Sequence, residues 1–204
     1  MTGPAALILV VGPSGAGKDT LIDGAREALS DDPGLCFARR VVTRPAQPGA
    51  EDHDSLTPEE FAAAARDGAF LLSWRAHGLD YGIPASLQEL RRDGIAVVAN
   101  VSRAVVEDAR RRLGPVRVVV VTAPPEVLAK RLAGRGRESA DDILARLRRA
   151  QDAFPTGPDV AIIVNDASAE EGIRAFLAVI RSFRNGGMVD GEGSRRHMAE
   201  EGRA

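Results

Sequence analysis

Four short apolar runs punctuate the chain, at 5–11, 95–99, 116–122 and 160–164, each bounded by turn-forming or polar residues. They are too short to cross a bilayer and have the length and composition of strands buried on both faces. Between them the hydrophobic positions fall at helical spacing, over 20–29, 102–113, 125–133 and 140–153, with a further helix at 170–183. Strands alternating with helices predict an α/β fold: a three-layer sandwich with a mainly parallel central sheet.

The stretch 36–90 breaks that rhythm. A turn-rich segment from Arg44 to Glu51 precedes a helix at 58–67, and the aromatic and glycine residues of 70–82 follow it. It reads as a small insertion over one end of the sheet. A second break, Gly134-Arg135-Gly136-Arg137-Glu138, is arginine-rich, glycine-hinged and set between two helices, which marks 130–150 as a lid. Residues 185–204 are polar and glycine-rich with no apolar period, the signature of a disordered tail beyond a single domain of 1–184.

Composition narrows the class. A chain of 204 residues with 44% hydrophobic and 27% charged residues suits one ordinary soluble domain. A net charge of −2 gives no electrostatic reason to expect nucleic acid or an anionic membrane as partner. Cys36 is the one cysteine, which excludes a disulfide framework and fits a reducing cytoplasm. No basic residue precedes the run at 5–11, so it makes a poor export signal. Of 27 basic residues only Lys18 and Lys130 are lysines, and Lys18 lies in the chain's strongest motif.

That motif is Gly12-Pro13-Ser14-Gly15-Ala16-Gly17-Lys18-Asp19-Thr20, placed after a strand and before a helix. The order is that of a P-loop: glycines let backbone N–H groups converge on phosphate oxygens, and the helix N-terminus adds its dipole. Lys18 has the spacing to reach the β- and γ-phosphates of ATP. Asp19 stands where a hydroxyl residue normally faces Mg²⁺; a carboxylate is also a hard oxygen ligand, directly or through water, with Thr20 beside it as the alternative. The chain lacks the Asn-Lys-x-Asp signature of switch GTPases. Arg131, Arg135 and Arg137 place positive charge where a lid could cover a transferring phosphoryl group. Together with Arg44 and Tyr81 in the insertion, they point to an acceptor that itself carries phosphate. Asn100 and Ser102 end a strand, where open α/β sheets bind ligands, and are expected on the substrate side.

These pieces, with Thr43-Arg44, His77 to Gly82, Arg146-Leu147 and Val164-Asn165-Asp166, resemble the guanylate-kinase-like family over about residues 5–183. The resemblance implies that the loop binds ATP phosphates and that Arg44 and Tyr81 grip the acceptor phosphate. It further implies that Arg131, Arg135, Arg137 and Arg146 act during transfer, and that Asn165 lies near the adenine. The departures are informative. Where the family has a second acceptor arginine, a guanine-reading glutamate and a threonine after Tyr-Gly, this chain has Gln47, Leu72 and Ile83. A buried leucine cannot accept the guanine N–H groups, so GMP is disfavoured.

Thr43-Arg44-Pro45, Glu51-Asp52-His53, Trp74 to Gly82, Asn100 to Arg103 and Arg135 to Glu138 are similar to the ribose 1,5-bisphosphate phosphokinase branch of phosphonate catabolism. That resemblance implies ATP-dependent phosphorylation of the 1-phosphate of ribose 1,5-bisphosphate, with Mg²⁺, to give 5-phosphoribosyl 1-diphosphate (PRPP). The alternatives are a guanylate or other nucleoside monophosphate kinase and a catalytically inactive binding module. A homodimer is compatible with the sequence, which does not fix the oligomeric state. His53 is expected as an exposed loop residue, Trp74 as core and Cys36 within a strand or at its edge; His77 is left open between structural and substrate-facing roles.

Overall fold

The computed structural model describes residues 3–45, 53–133 and 154–187. The expected helix at 140–153, the lid arginines Arg135, Arg137 and Arg146, Gln47, the Glu51-Asp52 pair and residues 188–204 of the expected tail lie outside them. Five strands form the larger sheet: β1 (Leu7–Val11), β2 (Leu35–Phe37), β7 (Ala96–Asn100), β8 (Val116–Thr122) and β9 (Val160–Val164), in the order β2-β7-β1-β8-β9. The pairings β2–β7, β7–β1 and β8–β9 are parallel. All five residues of β1 and all five of β7 are buried, as the unbroken apolar runs require of strands covered on both faces. Cys36 lies in β2, an edge strand, and burial pushes its thiol up from the ordinary value.

The chain divides into two compact units, Met1–Val10 with Arg26–Arg117, and Val11–Ala25 with Val118–Ala204. In the first, β3 (Arg40–Val42), β4 (His53–Ser55), β5 (Phe70–Ala76) and β6 (Leu79–Pro84) make a second sheet in the order β4-β3-β6-β5. Helix α2 (Pro58–Arg66) begins with a capping box: Thr57 Oγ1 accepts from the Glu60 N–H, and the Glu60 carboxylate accepts from the Thr57 N–H. Its Phe61 stacks on Phe70, with ring centroids 4.5 Å apart. His77 and Gly78 turn the β5–β6 hairpin with φ of 52° and 77°, so His77 is an exposed turn residue. The helix expected at 102–113 is split into a 3-10 turn, Arg103–Val105, and α4 (Val106–Arg112), because Ser102 caps the turn by accepting from the Ala104 N–H at 3.3 Å. Helix α3 (Leu87–Arg92) lies between the two sheets in sequence.

The second unit carries α1 (Lys18–Ala28) over most of its length, α5 (Pro125–Ala133) and α6 (Ala169–Arg184). Ser168 and Glu171 form the capping box of α6, and Asn185 closes it. Among the described residues no helix is long and apolar enough to cross a membrane.

Arg91, at the end of α3, is fully buried. Its Nε donates to the Ala5 carbonyl at 2.9 Å, Nη1 to Gln88 Oε1 at 2.8 Å and Nη2 to the Leu113 carbonyl at 2.6 Å. Burial lowers its pKa from the ordinary arginine value, and the ring of oxygens compensates for the lost hydration. Arg91→Met would strand those acceptors. It is expected to cost roughly 2–4 kcal/mol of unfolding free energy, read from urea denaturation at unchanged m-value; a midpoint equal to wild type would contradict this role.

Candidate functional site

The loop between β1 and α1 is held so closely that only glycine fits at its key positions. Gly12 has φ 150°, and a Cβ there would overlap the Val121 carbonyl oxygen of β8. Gly17 has φ 87°, and a Cβ there would overlap the Asn165 side-chain amide. The loop closes on itself through the Ala16 N–H to Pro13 carbonyl bond at 3.3 Å. Lys18 opens α1, and its Nζ donates to the carbonyls of Gly12 at 2.9 Å and Pro13 at 3.0 Å, which fixes the ammonium against the loop.

Beside the loop lies a cleft of about 400 Å³, whose lining includes Ser14, Gly17, Lys18, Asp19, Arg131 and Asn165. Gly15 and Thr20 line it as well, while Gly12, Pro13 and Ala16 contribute backbone to the loop's frame. The volume suits a small-molecule ligand, and the helix N-terminus with Lys18 and Arg131 gives it an anion-binding end.

Asn165, at the end of β9, is buried and lines the cleft, but its amide is spent on the loop: Nδ2 donates to the Ala16 carbonyl at 2.8 Å. Its own carbonyl accepts from Arg131 Nη1 at 3.0 Å, and the same nitrogen lies 3.4 Å from the Gly15 carbonyl. Arg131 and Asn165 therefore form a brace that clamps the loop from outside. The family resemblance implies a place near the adenine for Asn165; its contact to the loop is not legible in the sequence.

In the other unit, Arg44 follows β3 directly. Its Nε is buried and makes no hydrogen bond, while its carbonyl accepts from His53 Nε2–H at 3.2 Å. His53 is only 3% exposed and sits in β4, which corrects the expectation of an exposed loop histidine. Its pairing opposite Arg40 and its bond to Arg44 draw the ring inward. Tyr81, in β6, stacks on Trp74 across the strand pair, with centroids 5.4 Å apart and planes 5° apart. Trp74 is thus half-buried against Tyr81 rather than core, because β5 is an edge strand. Asn100 is buried at the end of β7, and the Ser102 oxygen is engaged in its cap. A contact that the sequence did not flag is that of Arg40, whose guanidinium carbon lies 5.3 Å from the Tyr81 ring centroid. Leu72 and Ile83 are 3% and 0% exposed.

A family model described as an AAA domain matches residues 8–153. The ribose 1,5-bisphosphate phosphokinase PhnN of Brucella melitensis is 49% identical over 176 residues, 86% of this chain and 92% of that protein. The bifunctional ribose 1,5-bisphosphokinase-thymidine phosphorylase of Cupriavidus pinatubonensis is 48% identical over 191 residues; these are 94% of this chain but 32% of that longer protein. The crystal structure of guanylate kinase from Anaplasma phagocytophilum superposes with a TM-score of 0.65 at 19% identity, covering 90% of this chain and 89% of that one. That likeness establishes a guanylate-kinase-like fold.

If the Asn165 amide sets the loop, Asn165→Ala should weaken ATP binding about 5- to 20-fold by calorimetry, the worth of one lost hydrogen bond and its orphaned carbonyl. Wild-type affinity in that variant would show that the loop holds its shape without the brace.

Proposed function

Because the chain belongs to the ribose 1,5-bisphosphate phosphokinase family, we propose that it transfers the γ-phosphoryl group of ATP to the 1-phosphate of ribose 1,5-bisphosphate, releasing ADP and 5-phosphoribosyl 1-diphosphate. An oxygen of the 1-phosphate attacks the γ-phosphorus, and the bond from that phosphorus to the β–γ bridging oxygen breaks, its electron pair leaving with ADP. The second pKa of a phosphate monoester is about 6, so the nucleophile is mostly deprotonated at neutral pH and no general base is required. What remains is to hold two polyanions in line and to screen their repulsion.

The single observation that carries this reading is the braced phosphate loop, whose glycine-only turns, Lys18 and helix N-terminus stand beside the cleft and support an ATP-binding end there. The burial of Leu72 and Ile83 supports a sugar in place of guanine, since neither can pair the base's donors. In this reading residues 12–20 and Asn165 bind or frame ATP, and Lys18 and Arg131 stabilise charge on the transferring group. Arg135, Arg137 and Arg146 supply further charge from the lid of 130–150. Arg44 and Tyr81, in the acceptor-binding insertion of 36–90, hold the reacting phosphate, with Asn100 and Ser102 on the sugar side. The setting is the cytoplasm.

Asp19 and Thr20 both line the cleft, so they would supply hard oxygen ligands to Mg²⁺, directly or through water. When bound, Mg²⁺ neutralises phosphate charge.

The test is ³¹P NMR of the protein with MgATP and, separately, ribose 1,5-bisphosphate or GMP. A diphosphate on C1 of ribose with GMP inert is the expected result. Turnover of GMP with the sugar inert would overturn the reading.

A further inference from the structure

Arg44 and Tyr81, the pair proposed to hold the reacting phosphate, come from different parts of the chain, and the residue before each of them joins the two. In the ladder between β3 and β6, Val41 faces Gly82 and Val42 faces Tyr81, so the register brings Thr43 opposite Asp80. The Thr43 N–H donates to the Asp80 carbonyl at 3.0 Å. In a regular antiparallel rung the Asp80 N–H would return to the Thr43 carbonyl. It donates instead to Thr43 Oγ1, at 2.8 Å. The Thr43 side chain thus replaces the main chain in the last rung.

The sequence explains why the ladder ends this way. Hydrogen-bonded rungs recur at every second residue, and Pro45 stands where the next would fall, with no N–H to make it. β3 ends at Val42, and the chain bends through Thr43 and Arg44. A hydroxyl on Thr43 lets the backbone leave the ladder without orphaning the Asp80 N–H. Arg44 therefore starts just beyond a closed rung, and its own carbonyl accepts from His53 Nε2–H at 3.2 Å. Its backbone is held on both sides, while its Nε is buried and makes no hydrogen bond. Tyr81 is fixed by other means: it pairs with Val42 and with Trp74 and stacks on the Trp74 ring.

We infer that Thr43 is a positioning residue, whose hydroxyl fixes Arg44 beside Tyr81 so that both meet the same acceptor phosphate. The inference rests on the proposed reaction and deepens its acceptor site. Its test is a double-mutant cycle on ribose 1,5-bisphosphate with wild type, Thr43→Val, Arg44→Gln and the double variant, together with Thr43→Ser. Valine keeps the shape of threonine without the hydroxyl, and serine keeps the hydroxyl.

Thr43→Val should lower kcat/KM for the bisphosphate about 5- to 20-fold, with the KM for ATP within about twofold of wild type, as the loss of one acceptor-side hydrogen bond and its stranded donor predicts. Thr43→Ser should stay within about threefold of wild type, because the acceptor oxygen remains. In the Arg44→Gln background the Thr43→Val loss should fall below about twofold, since nothing is left for Thr43 to position. An equal loss in both backgrounds, or an equal loss in Thr43→Ser and Thr43→Val, would assign Thr43 to the fold at large; wild-type kinetics in Thr43→Val would assign it no role. Each of these overturns the inference. Failure of the wild type to turn over ribose 1,5-bisphosphate would instead sink the proposed reaction. The same cycle read from the Kd of the bisphosphate by calorimetry, which needs no turnover, would then decide the role of Thr43. A weaker Kd in Thr43→Val that disappears in the Arg44→Gln background supports it, and an unchanged Kd refutes it.

Discussion

The nucleotide half of this protein depends on one close approach, that of the phosphate loop to the ends of β8 and β9. Gly12 lies against the Val121 carbonyl, Gly17 against the Asn165 amide, and Gly172 of α6 within 2.7 Å of Asn165 Oδ1 were it to carry a Cβ. The Asn165 side chain is thus boxed in by residues that have no side chain of their own, and its one fixed orientation delivers Nδ2 to the Ala16 carbonyl. α1 and α6 approach under the same constraint, since a Cβ on Gly172 would also meet Leu21 and one on Gly24 would overlap Ile173. Small residues here are what let the loop keep one shape, and a loop with one shape can aim its N–H groups at phosphate without reorganisation.

The unit that carries β3 to β6 is organised differently. Its sheet is made of short strands, one face closed by the Phe61–Phe70 stack and the other set with Arg40, Tyr81 and Trp74. In the proposed reading, buried Leu72 and Ile83 withhold the hydrogen bonds that a guanine would need, and Arg44 meets the acceptor phosphate. Specificity by this route has a physical advantage: a site built around charged partners rejects a ligand lacking them, because its own donors would be left unpaired.

Much of this was legible in the sequence, and the reasons for success and failure are the same. β8 and β9 fall at their expected bounds, as does α5, because each is a buried run or a clear amphipathic period. The P-loop was legible because its glycines are demanded by backbone geometry. β2, β3 and β4 are three residues each, too short to show a period, and β4 is His-Asp-Ser, which no hydrophobic pattern could flag. For that reason His53 read as exposed when its burial comes from pairing with β3. Arg40 was invisible for a related cause: one arginine in an arginine-rich chain carries no signal until strand register puts it over Tyr81.

In the proposed reaction the γ-phosphoryl group of ATP goes to a phosphorylated sugar rather than to a nucleoside monophosphate. The most direct measurement is an internal competition in which [γ-³²P]ATP meets ribose 1,5-bisphosphate and GMP at equal concentration and the label is located after partial turnover. Label is expected in the terminal phosphate of 5-phosphoribosyl 1-diphosphate, with GDP at least about 10³-fold behind, because buried donors of the base would go unpaired. Comparable labelling of GDP would contradict it.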